Sequence, residues 1–339
     1  MRTFINEEKF SELTGSAAFI TLVGHLNPDG DAIGSLSGMY HYLSARGKQA
    51  AIVLNNPLPD SFGFLTAGLP IFYYDDAPEK CIEAVRRADL IICQDMSAPS
   101  RAGDISAEIE NASCPKILID HHLNPAVEWF DTVISDTEVS SASELVLLTL
   151  LKQEDVVQDV QKLPLKCATA LLTGILTDTN NFSNSVFPTT YDAAKLLQQR
   201  GADRDFIYRE VFCSFSEQRM RLMGYLLAEN MRYMPESGTA YFTLSKNDKK
   251  NFSFLRGDSE GFVNLPLAIK NVSLTALFTE DDGFVKVSLR SKGDVDVNEF
   301  SHRYCNGGGH KNAAGGRVYL PFEEIPSYFE KCIGEFFAR

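Results

Sequence analysis

The sequence lacks several patterns that would define whole classes of protein. Its seven cysteines are widely spaced and include no Cys-x-x-Cys pair, so neither a disulfide framework nor a zinc ribbon is indicated. No apolar run approaches the roughly 20 residues that a membrane-spanning helix requires. The first ten residues carry acidic side chains where a signal peptide needs an apolar segment. We therefore expect a reduced, cytoplasmic location and no membrane partner.

The sequence also lacks an excess of positive charge. Its formal net charge is −13, which argues against a protein that coats long nucleic acid through a general basic surface. Basic residues nevertheless outnumber acidic residues between positions 283 and 317. A local basic region of this kind is compatible with a small anionic ligand.

The length and composition predict two packed domains. The chain has 339 residues, of which 44 % are hydrophobic and 11 % aromatic. Short apolar segments alternate with helical patterns in the first part, which predicts an α/β domain with a mainly parallel sheet flanked by helices. Short alternating strands in the last part predict a smaller α/β domain with a mixed sheet. The predicted boundaries are a first domain at 1–212, a linker helix at 213–235 and a second domain at 236–339.

The segment 24–35 carries three potential metal ligands on one turn. The apolar run 17–23 predicts a buried strand, and apolar residues at helical spacing predict a helix that ends near Gly47. His25, Asp29 and Asp31 therefore lie at the carboxyl end of a strand, where open α/β sheets bind ligands. Carboxylates mixed with imidazole suit Mn, Fe, Zn or Mg. Taken alone, the segment fits equally well an Asx-rich turn in which Asp31 caps the helix.

Two further strands and a buried helix end in similar side chains. The apolar run 89–95 ends in Asp95, and the run 116–122 ends in Asp120-His121-His122. The predicted helix 165–176 is apolar on every side and is followed by Asp178. A carboxylate at the end of a buried helix needs a positive partner, and a metal ion would provide one.

The second half contains a glycine-rich segment at 306–316. Three consecutive glycines before a predicted helix can expose backbone N–H groups to a phosphate, and the alternative is a flexible turn. The segment 216–233 predicts one long connecting helix, and the Asp-Gly pair at 282–283 predicts a hairpin between two strands.

These motifs occur in the order found in the DHH phosphoesterases, which the chain resembles over nearly its whole length. In the first half they are His25-x-x-x-Asp29-x-Asp31-x-x-Gly34-Ser35, Asp95, Asp120-His121-His122 and the segment 173–179. In the second half they are Arg290-Ser291-Lys292-Gly293 and Gly307-Gly308-Gly309-His310. Within the family, the chain is similar to two-domain bacterial nano-RNases that also act as phosphatases on 3′-phosphoadenosine 5′-phosphate (pAp).

The resemblance implies a two-metal centre, expected to hold Mn²⁺. One ion would be bound by His25 and Asp29, and the other by Asp31, His121 and Asp178. Asp95 would bridge the two ions. His122 would face the substrate phosphate, and Asp120 would orient the histidines.

The resemblance also implies a nucleotide-binding second domain. Its expected substrate residues are Arg290, Ser291, Gly308, Gly309 and His310. In the first domain, Arg101 is expected either to contact phosphate or to cap a loop. The sequence leaves open whether the protein forms a homodimer.

The residue chemistry agrees with phosphoester hydrolysis. Two metal ions about 3.5–4 Å apart supply a nucleophile and neutralise the phosphate. Four converging carboxylates without a cation would repel one another, which disfavours a purely structural cluster. The expected reactions are cleavage of short oligoribonucleotides to mononucleotides and of pAp to AMP. The alternatives are a phosphodiesterase for linear dinucleotides such as pApA, a pyrophosphatase or exopolyphosphatase, and a nucleotide sensor with an inactive metal site.

Overall fold

The chain divides into two compact units, Met1–Ser214 and Phe215–Arg339. The computed structural model describes residues 7–255 and 257–338. The division into catalytic, linker and substrate segments at 1–212, 213–235 and 236–339 stays a prediction about function. No helix in the described ranges is both long and apolar enough to cross a bilayer.

The first unit is built on a six-stranded sheet in which all neighbouring strands are parallel. The order of its strands is β3-β2-β1-β4-β5-β6. The strands are β1 (Phe19–Val23), β2 (Gln49–Leu54), β3 (Ile71–Tyr73), β4 (Leu90–Gln94), β5 (Lys116–Asp120) and β6 (Thr132–Ser135). The predicted α/β class with a parallel sheet is confirmed.

Helices cover both faces of this sheet. They are α1 (Glu7–Ser16), α2 (Gly30–Ala45), α3 (Gly63–Thr66), α4 (Pro78–Arg86), α5 (Ser106–Asn111), α6 (Ala142–Leu150), α7 (Glu154–Gln158), α8 (Leu165–Asp178), α9 (Pro188–Gln199) and α10 (Arg204–Phe212). Successive strand residues face opposite sides. Leu22 accordingly belongs to the core that contains α2 and α8, whereas Val23 belongs to the core that contains α4 and α5.

The backbones of α2 and α8 touch where they cross. A Cβ on Gly34 would lie 2.7 Å from the backbone nitrogen of Gly174, and a Cβ on Gly174 would lie 2.7 Å from Asp31 Oδ1. No larger residue fits at either position without moving a helix. This contact brings the start of α2 close to the end of α8, where two of the predicted metal ligands lie.

The second unit is built on a mixed six-stranded sheet with the order β11-β12-β10-β9-β8-β7. Its strands are β7 (Arg232–Met234), β8 (Thr239–Leu244), β9 (Leu274–Glu280), β10 (Val285–Ser291), β11 (Gly308–His310) and β12 (Ala313–Val318). Only β8 and β9 pair in parallel; the other neighbours are antiparallel, including the predicted hairpin β9–β10. Its helices are α11 (Glu217–Tyr225), α12 (Lys246–Asn251), α13 (Val297–Tyr304) and α14 (Ile325–Phe337).

Two local predictions for the second half are wrong. The segment 216–233 is not one helix, because α11 ends at Tyr225, a π-helical turn follows, and Tyr233 lies in β7, which pairs with β8. The glycine-rich segment is not a loop before a helix but the hairpin β11–β12. A Cβ on Gly307 would lie 2.0 Å from the carbonyl oxygen of Gly315, so the glycine permits close backbone packing.

Candidate metal centre

The carboxyl ends of three adjacent parallel strands bear most of the predicted ligands. Strands β1, β4 and β5 are neighbours, so the loops that follow them lie side by side. His25 follows β1, Asp95 follows β4 and His121 follows β5. Asp31 lies in the first turn of α2, and Asp178 is the last residue of α8. The structure thus brings together side chains that are far apart in the sequence, from His25 to Asp178.

The first group of ligand atoms surrounds the imidazole of His25. Its Nε2 lies 3.5 Å from Asp95 Oδ2 and 3.9 Å from Asp29 Oδ1. Its Nδ1 lies 2.9 Å from the carbonyl oxygen of Leu26. When Nδ1–H donates to that carbonyl, the lone pair of Nε2 points toward the carboxylates, as metal-binding histidines require.

The second group surrounds the imidazole of His121. Its Nε2 lies 3.5 Å from Asp95 Oδ1, 3.7 Å from Asp178 Oδ2 and 3.9 Å from Asp31 Oδ2. These separations are too long for good hydrogen bonds. Two ligand atoms that each lie about 2.1 Å from one ion are about 3–4 Å apart. The spacing in both groups therefore fits a shared cation.

Asp95 connects the two groups through its two carboxylate oxygens. It is 3 % exposed and has a left-handed backbone with a φ of 58°. Its N–H donates to the carbonyl oxygen of Ile119 at 3.0 Å, which continues the β4–β5 pairing by one residue. Such backbone strain costs about 1–3 kcal/mol and is typical of functional sites. Here it directs the carboxylate between His25 and His121.

Burial and neighbouring charges shift the pKa of five groups in the cluster, which are His25, Asp31, Asp95, His121 and Asp178. Burial lowers the pKa of the two histidines, but the nearby carboxylates outweigh it. The pKa of His25 is well above its ordinary value and that of His121 is about 10. Burial and the charge of Asp95 raise the pKa of Asp31 to about 7, and burial also raises the pKa of Asp178. Asp95 differs: burial raises its pKa, but the two histidines outweigh burial and lower it.

These shifts show that the cluster needs positive charge. Among the residues of the cluster, only the histidines can carry positive charge, each by binding a second proton on its ring. A divalent cation in each group would replace the protons and satisfy the same oxygen and nitrogen atoms. The donor set therefore fits two divalent ions.

Backbone N–H groups hold two of the carboxylates in place. Asp31 accepts hydrogen bonds from the N–H groups of Ala142 (2.7 Å) and Ser143 (2.9 Å) at the start of α6. Asp29 caps α2, because its Oδ1 accepts from the N–H groups of Asp31 and Ala32. The cap of α2 is therefore Asp29 and not Asp31, the residue that the sequence suggests. Because Asp29 also lies beside His25, helix capping and metal binding are compatible roles for this turn.

His122 has a different environment from His121. Its Nδ1 lies 2.6 Å from Asp120 Oδ1 and 3.7 Å from Asp95 Oδ1. Asp120 is completely buried, and its Oδ2 has no hydrogen-bond partner among the described residues. The imidazole of His122 is 27 % exposed. Asp120 thus fixes the orientation of a partly exposed histidine beside the two ligand groups.

Residues at the ends of β2 and β3 hold the loop after β1, and the sequence analysis missed them. Asn56 Oδ1 accepts from the N–H of Asn27 at 2.9 Å, and Asn56 Nδ2 donates to Asp75 at 2.8 Å. Asn55 likewise donates to Asp75 and accepts from the N–H of Asp104. The only sequence signal for these contacts is the pair of asparagines at the end of β2. Their partners are distant in the sequence, so the pair alone does not predict the contacts.

Arg101 contributes to the same loop through its backbone. Its carbonyl oxygen accepts from the N–H of Leu26 at 2.7 Å, and its side chain is exposed. The backbone contact ties the loop after β4 to the loop after β1. Whether the guanidinium also binds phosphate stays a prediction.

The predicted substrate residues of the second unit lie at the end of β10 and on β11, and both strands pair with β12. Arg290 is half-buried, donates to the carbonyl oxygen of Leu289 and has its pKa lowered by burial. Ser291 is buried, and its hydroxyl donates to the carbonyl oxygen of Val295 while it accepts from Asn312. Ser291 therefore organises the turn after β10.

The glycine pair lies in the edge strand β11. The N–H of Gly309 donates to Asn298 Oδ1 at 2.7 Å, so this amide is already engaged. A Cβ on Gly308 would lie 2.9 Å from the ring of His302, so the strand lies flat against α13. The backbone of His310 ends β11, and the predicted role of its side chain falls outside the described part of the structure.

Comparison with known proteins identifies the family. Residues 19–175 match the DHH family, N-terminal domain, and residues 244–335 match the DHHA1 domain. The chain is 30% identical over 313 residues to the bifunctional oligoribonuclease and PAP phosphatase NrnA of Thermus thermophilus, which covers 88% of this chain and 84% of that protein. The chain belongs to the DHH family, and the resemblance seen in the motifs is confirmed.

Two further matches extend along most of the chain. The probable bifunctional oligoribonuclease and PAP phosphatase NrnA of Streptococcus mutans is 29% identical over 310 residues, covering 90% of this chain and 91% of that protein. The second match is the crystal structure of an exopolyphosphatase-related protein from Bacteroides fragilis, whose sequence is 36% identical to this one. The two structures superpose with a TM-score of 0.92 over 97% of this chain and 96% of that one. These relatives identify the protein as a hydrolase of the DHH phosphoesterase family.

Proposed function

We propose that this protein is a Mn²⁺-dependent phosphoesterase that cleaves short oligoribonucleotides to mononucleotides and pAp to AMP. The observation that carries the proposal is the geometry of Asp95, whose two oxygens each lie 3.5 Å from a different histidine nitrogen. A carboxylate between two such groups is suited to bridge two ions. The names of the NrnA relatives support the choice of substrates.

Each ligand group has the donors for one ion. We assign His25 and Asp29 to the first ion, and Asp31, His121 and Asp178 to the second, with Asp95 shared. Two bound ions would supply a water molecule of lowered pKa as nucleophile and would neutralise the phosphate charge. The protein contributes by holding the carboxylates so that no rearrangement is needed when the ions bind.

His122 is the proposed contact to the scissile phosphate. Asp120 holds Nδ1, which fixes the tautomer and directs the opposite edge of the ring outward. With protons on both ring nitrogens, an imidazolium so held can donate from Nε2 to a phosphate oxygen and stabilise the charge that builds up there. Arg101, on the loop after β4, is proposed to add a second cationic contact.

The second unit is proposed to bind the rest of the nucleotide. Arg290 offers a planar guanidinium suited to bidentate contact with a phosphate. Burial lowers the pKa of Arg290 and weakens its hydration, which makes an incoming anion a favourable partner. His310 is proposed to assist it. Ser291, Gly308 and Gly309 would shape the surface, since the Ser291 hydroxyl and the Gly309 amide are engaged within the unit.

Two alternatives differ in substrate but not in metal chemistry. A linear dinucleotide such as pApA would use the same residues. The other alternative is a phosphoanhydride substrate, and the similarity to a protein described as exopolyphosphatase-related is the reason to consider it. Pyrophosphate and polyphosphate offer no base or ribose, so they would leave most of the second-unit residues without a role.

A substrate panel tests the proposal. The purified protein with Mn²⁺ is assayed against pAp, pApA, RNAs of two to five nucleotides, a long RNA, pyrophosphate and polyphosphate. We expect high kcat/KM for pAp and the short RNAs, a steep fall for the long RNA, and no activity with excess chelator. Preferential hydrolysis of pyrophosphate or polyphosphate would overturn the nucleotide assignment. Full activity in chelator would overturn the metal mechanism.

A further inference from the structure

The sheet face that carries Arg290 continues along β10 and β12. Residues Lys286, Ser288 and Arg290 alternate with buried core residues and therefore share the outer face. In the antiparallel register, Lys286 lies opposite Arg317 and Arg290 lies opposite Ala313. Directly opposed residues of paired strands point to the same side. Lys286 and Arg317, here called the cation pair, thus lie on the same face as Arg290.

The cation pair has no anionic partner of its own. Both residues are exposed, and within residues 7–255 and 257–338 neither side chain makes an ion pair or a hydrogen bond. The guanidinium of Arg317 lies 4.6 Å from the centre of the Phe284 ring. Tyr319, whose ring lies 6.4 Å from that of Phe284, is 63 % exposed. The cation pair thus adjoins an aromatic ring and has no carboxylate bound to it.

Small residues separate the cation pair from Arg290. Ser288 lies between Lys286 and Arg290 along β10, and Gly315 lies opposite Ser288 on β12. No large side chain therefore rises between the two ends of this face. Four strand residues span about 13 Å. That length equals about four stacked nucleotides at about 3.4 Å each. An extended RNA strand, in which the bases do not stack, covers it with fewer nucleotides.

We infer that the cation pair is a second phosphate-binding site, which holds the backbone of an oligoribonucleotide whose nearer end is bound at Arg290. The inference rests on the proposed function and narrows its substrate class to RNA of several nucleotides. Phe284 and Tyr319 offer rings on which a base can stack. The pAp molecule has one nucleoside and cannot reach from Arg290 to the cation pair.

Carboxylates end this surface at the turn between β9 and β10. Asp281 and Asp282 immediately precede Gly283 at the turn, just beyond Phe284 and Lys286. Lys246 pairs with Asp282 at 2.6 Å, and Lys249 interacts electrostatically with Asp281 and Glu280. Two lysines thus offset three carboxylates, and the turn keeps a net negative charge. A further phosphate would meet this negative charge and be repelled. The face therefore favours short RNA and gives no extended path for a long one.

A matched pair of double variants tests the inference. Lys286→Ala/Arg317→Ala removes the cation pair, and Lys270→Ala/Lys331→Ala removes two exposed lysines elsewhere in the same unit, with the same change of net charge. The kcat/KM for a pentanucleotide and for pAp is measured over a series of salt concentrations. Each phosphate contact on a single strand contributes about 0.7 to the slope of log affinity against log salt.

We expect the first variant to lose about tenfold in kcat/KM on the pentanucleotide and about 1.4 in salt slope, since two contacts are removed. Its activity on pAp should be unchanged, and the control variant should resemble the wild type on both substrates. Binding of a fluorescent pentanucleotide to Asp95→Asn protein gives a readout that does not depend on turnover, and Lys286→Ala/Arg317→Ala should weaken it.

The contrary outcomes are distinct. An unchanged salt slope, an equal loss with the control variant, or an equal loss on pAp would overturn the second phosphate site while leaving the proposed function intact. A wild-type protein that cleaves neither pAp nor any short RNA would overturn the proposed function itself. That failure is visible before any variant is made.

Discussion

The two units carry their candidate functional residues in opposite ways. In the first unit, Asp31 and Asp95 are almost completely buried, and backbone N–H groups or strand pairing fix their positions. In the second unit, Lys286 and Arg317 stand exposed on a sheet face, and neither side chain makes an ion pair or a hydrogen bond within the described residues. The first arrangement accepts strain and repulsion to hold a fixed geometry, whereas the second keeps cations available for a flexible ligand.

This difference agrees with the proposed roles of the two units, which are hydrolysis in the first and nucleotide binding in the second. Metal-assisted hydrolysis requires ligands placed to within a fraction of an ångström, so buried side chains on rigid elements suit it. Binding the remainder of a nucleotide tolerates looser geometry, because charge attraction acts over a longer range. Substitutions in the first unit should therefore affect every substrate alike, and those in the second should depend on the size of the substrate.

The largest expected effect comes from Asp95→Asn in the first unit. Asparagine tolerates the left-handed backbone at this position, but its neutral amide cannot bridge two ions. We expect turnover of both pAp and p-nitrophenyl phosphate to fall by at least about 10³-fold, the upper range for loss of one preorganised transition-state contact. Asp76→Asn, at an exposed carboxylate, is the control. Retained activity with normal metal content would contradict the bridging role.

A smaller and substrate-dependent effect is expected from Arg290→Ala in the second unit. Loss of a charge-assisted hydrogen bond costs about 1.5–3 kcal/mol, or roughly ten- to a hundredfold in kcat/KM. Hydrolysis of pAp and dinucleotides should fall by this factor, whereas p-nitrophenyl phosphate should be cleaved almost as before. Arg221→Ala, an exposed arginine of the same unit, is the control. An equal loss on all substrates would erase the contrast between the units.

Asn56→Ala should weaken metal binding without touching a ligand. The substitution removes the acceptor for the N–H of Asn27 and frees the loop that carries His25 and Asp29. Loss of such a supporting contact typically lowers metal affinity by about 10–100-fold, and we expect the low end of that range. Titration of the metal-free protein with Mn²⁺ measures it, with Asn111→Ala on the surface as the control. Unchanged affinity would show that the loop keeps its conformation without the hydrogen bond to Asn56.

The pH dependence of stability tests the charges of the first unit without any substitution. The pKa of His121 is 6.5 when unfolded and about 10 in the folded, metal-free protein, so its proton stabilises the fold below pH 6.5 and this contribution is lost as the pH rises toward 10. The Tm of metal-free protein should therefore fall between pH 7 and 9. Mn²⁺ should reduce that fall, because bound ions replace the protons. If the Tm rose with pH in the presence of chelator, the raised pKa of His121 in the metal-free protein would be contradicted.

The sequence predicted the fold of the first unit well, and the candidate ligands of this unit follow clear local patterns. Asp95 and His121 each come directly after an apolar run, and parallel strands place such positions at one edge of the sheet. The supporting contact between Asn56 and Asp75 was not predictable in this way. It joins the ends of β2 and β3, and β3 has only three residues, too few to show an alternating pattern.

The second unit was harder to predict because its elements depend on distant pairing. Tyr233 follows a helix and carries no strand pattern, yet it pairs with Ala240 across a tight turn. The glycine-rich segment becomes a hairpin because Gly308 pairs with Gly315, which local composition does not reveal. The cation pair is invisible in sequence for the same reason, since Lys286 and Arg317 meet only through the register of β10 and β12.

The contact between Gly34 and Gly174 has a consequence for how the metal centre responds to hydrostatic pressure. Pressure acts on proteins mainly by removing internal voids, and backbones already in contact leave none to remove. Asp31 and Asp178, at the ends of the two helices joined by this contact, should keep their separation while looser parts of the molecule compress. The second ligand group would then be among the least compressible parts of the protein.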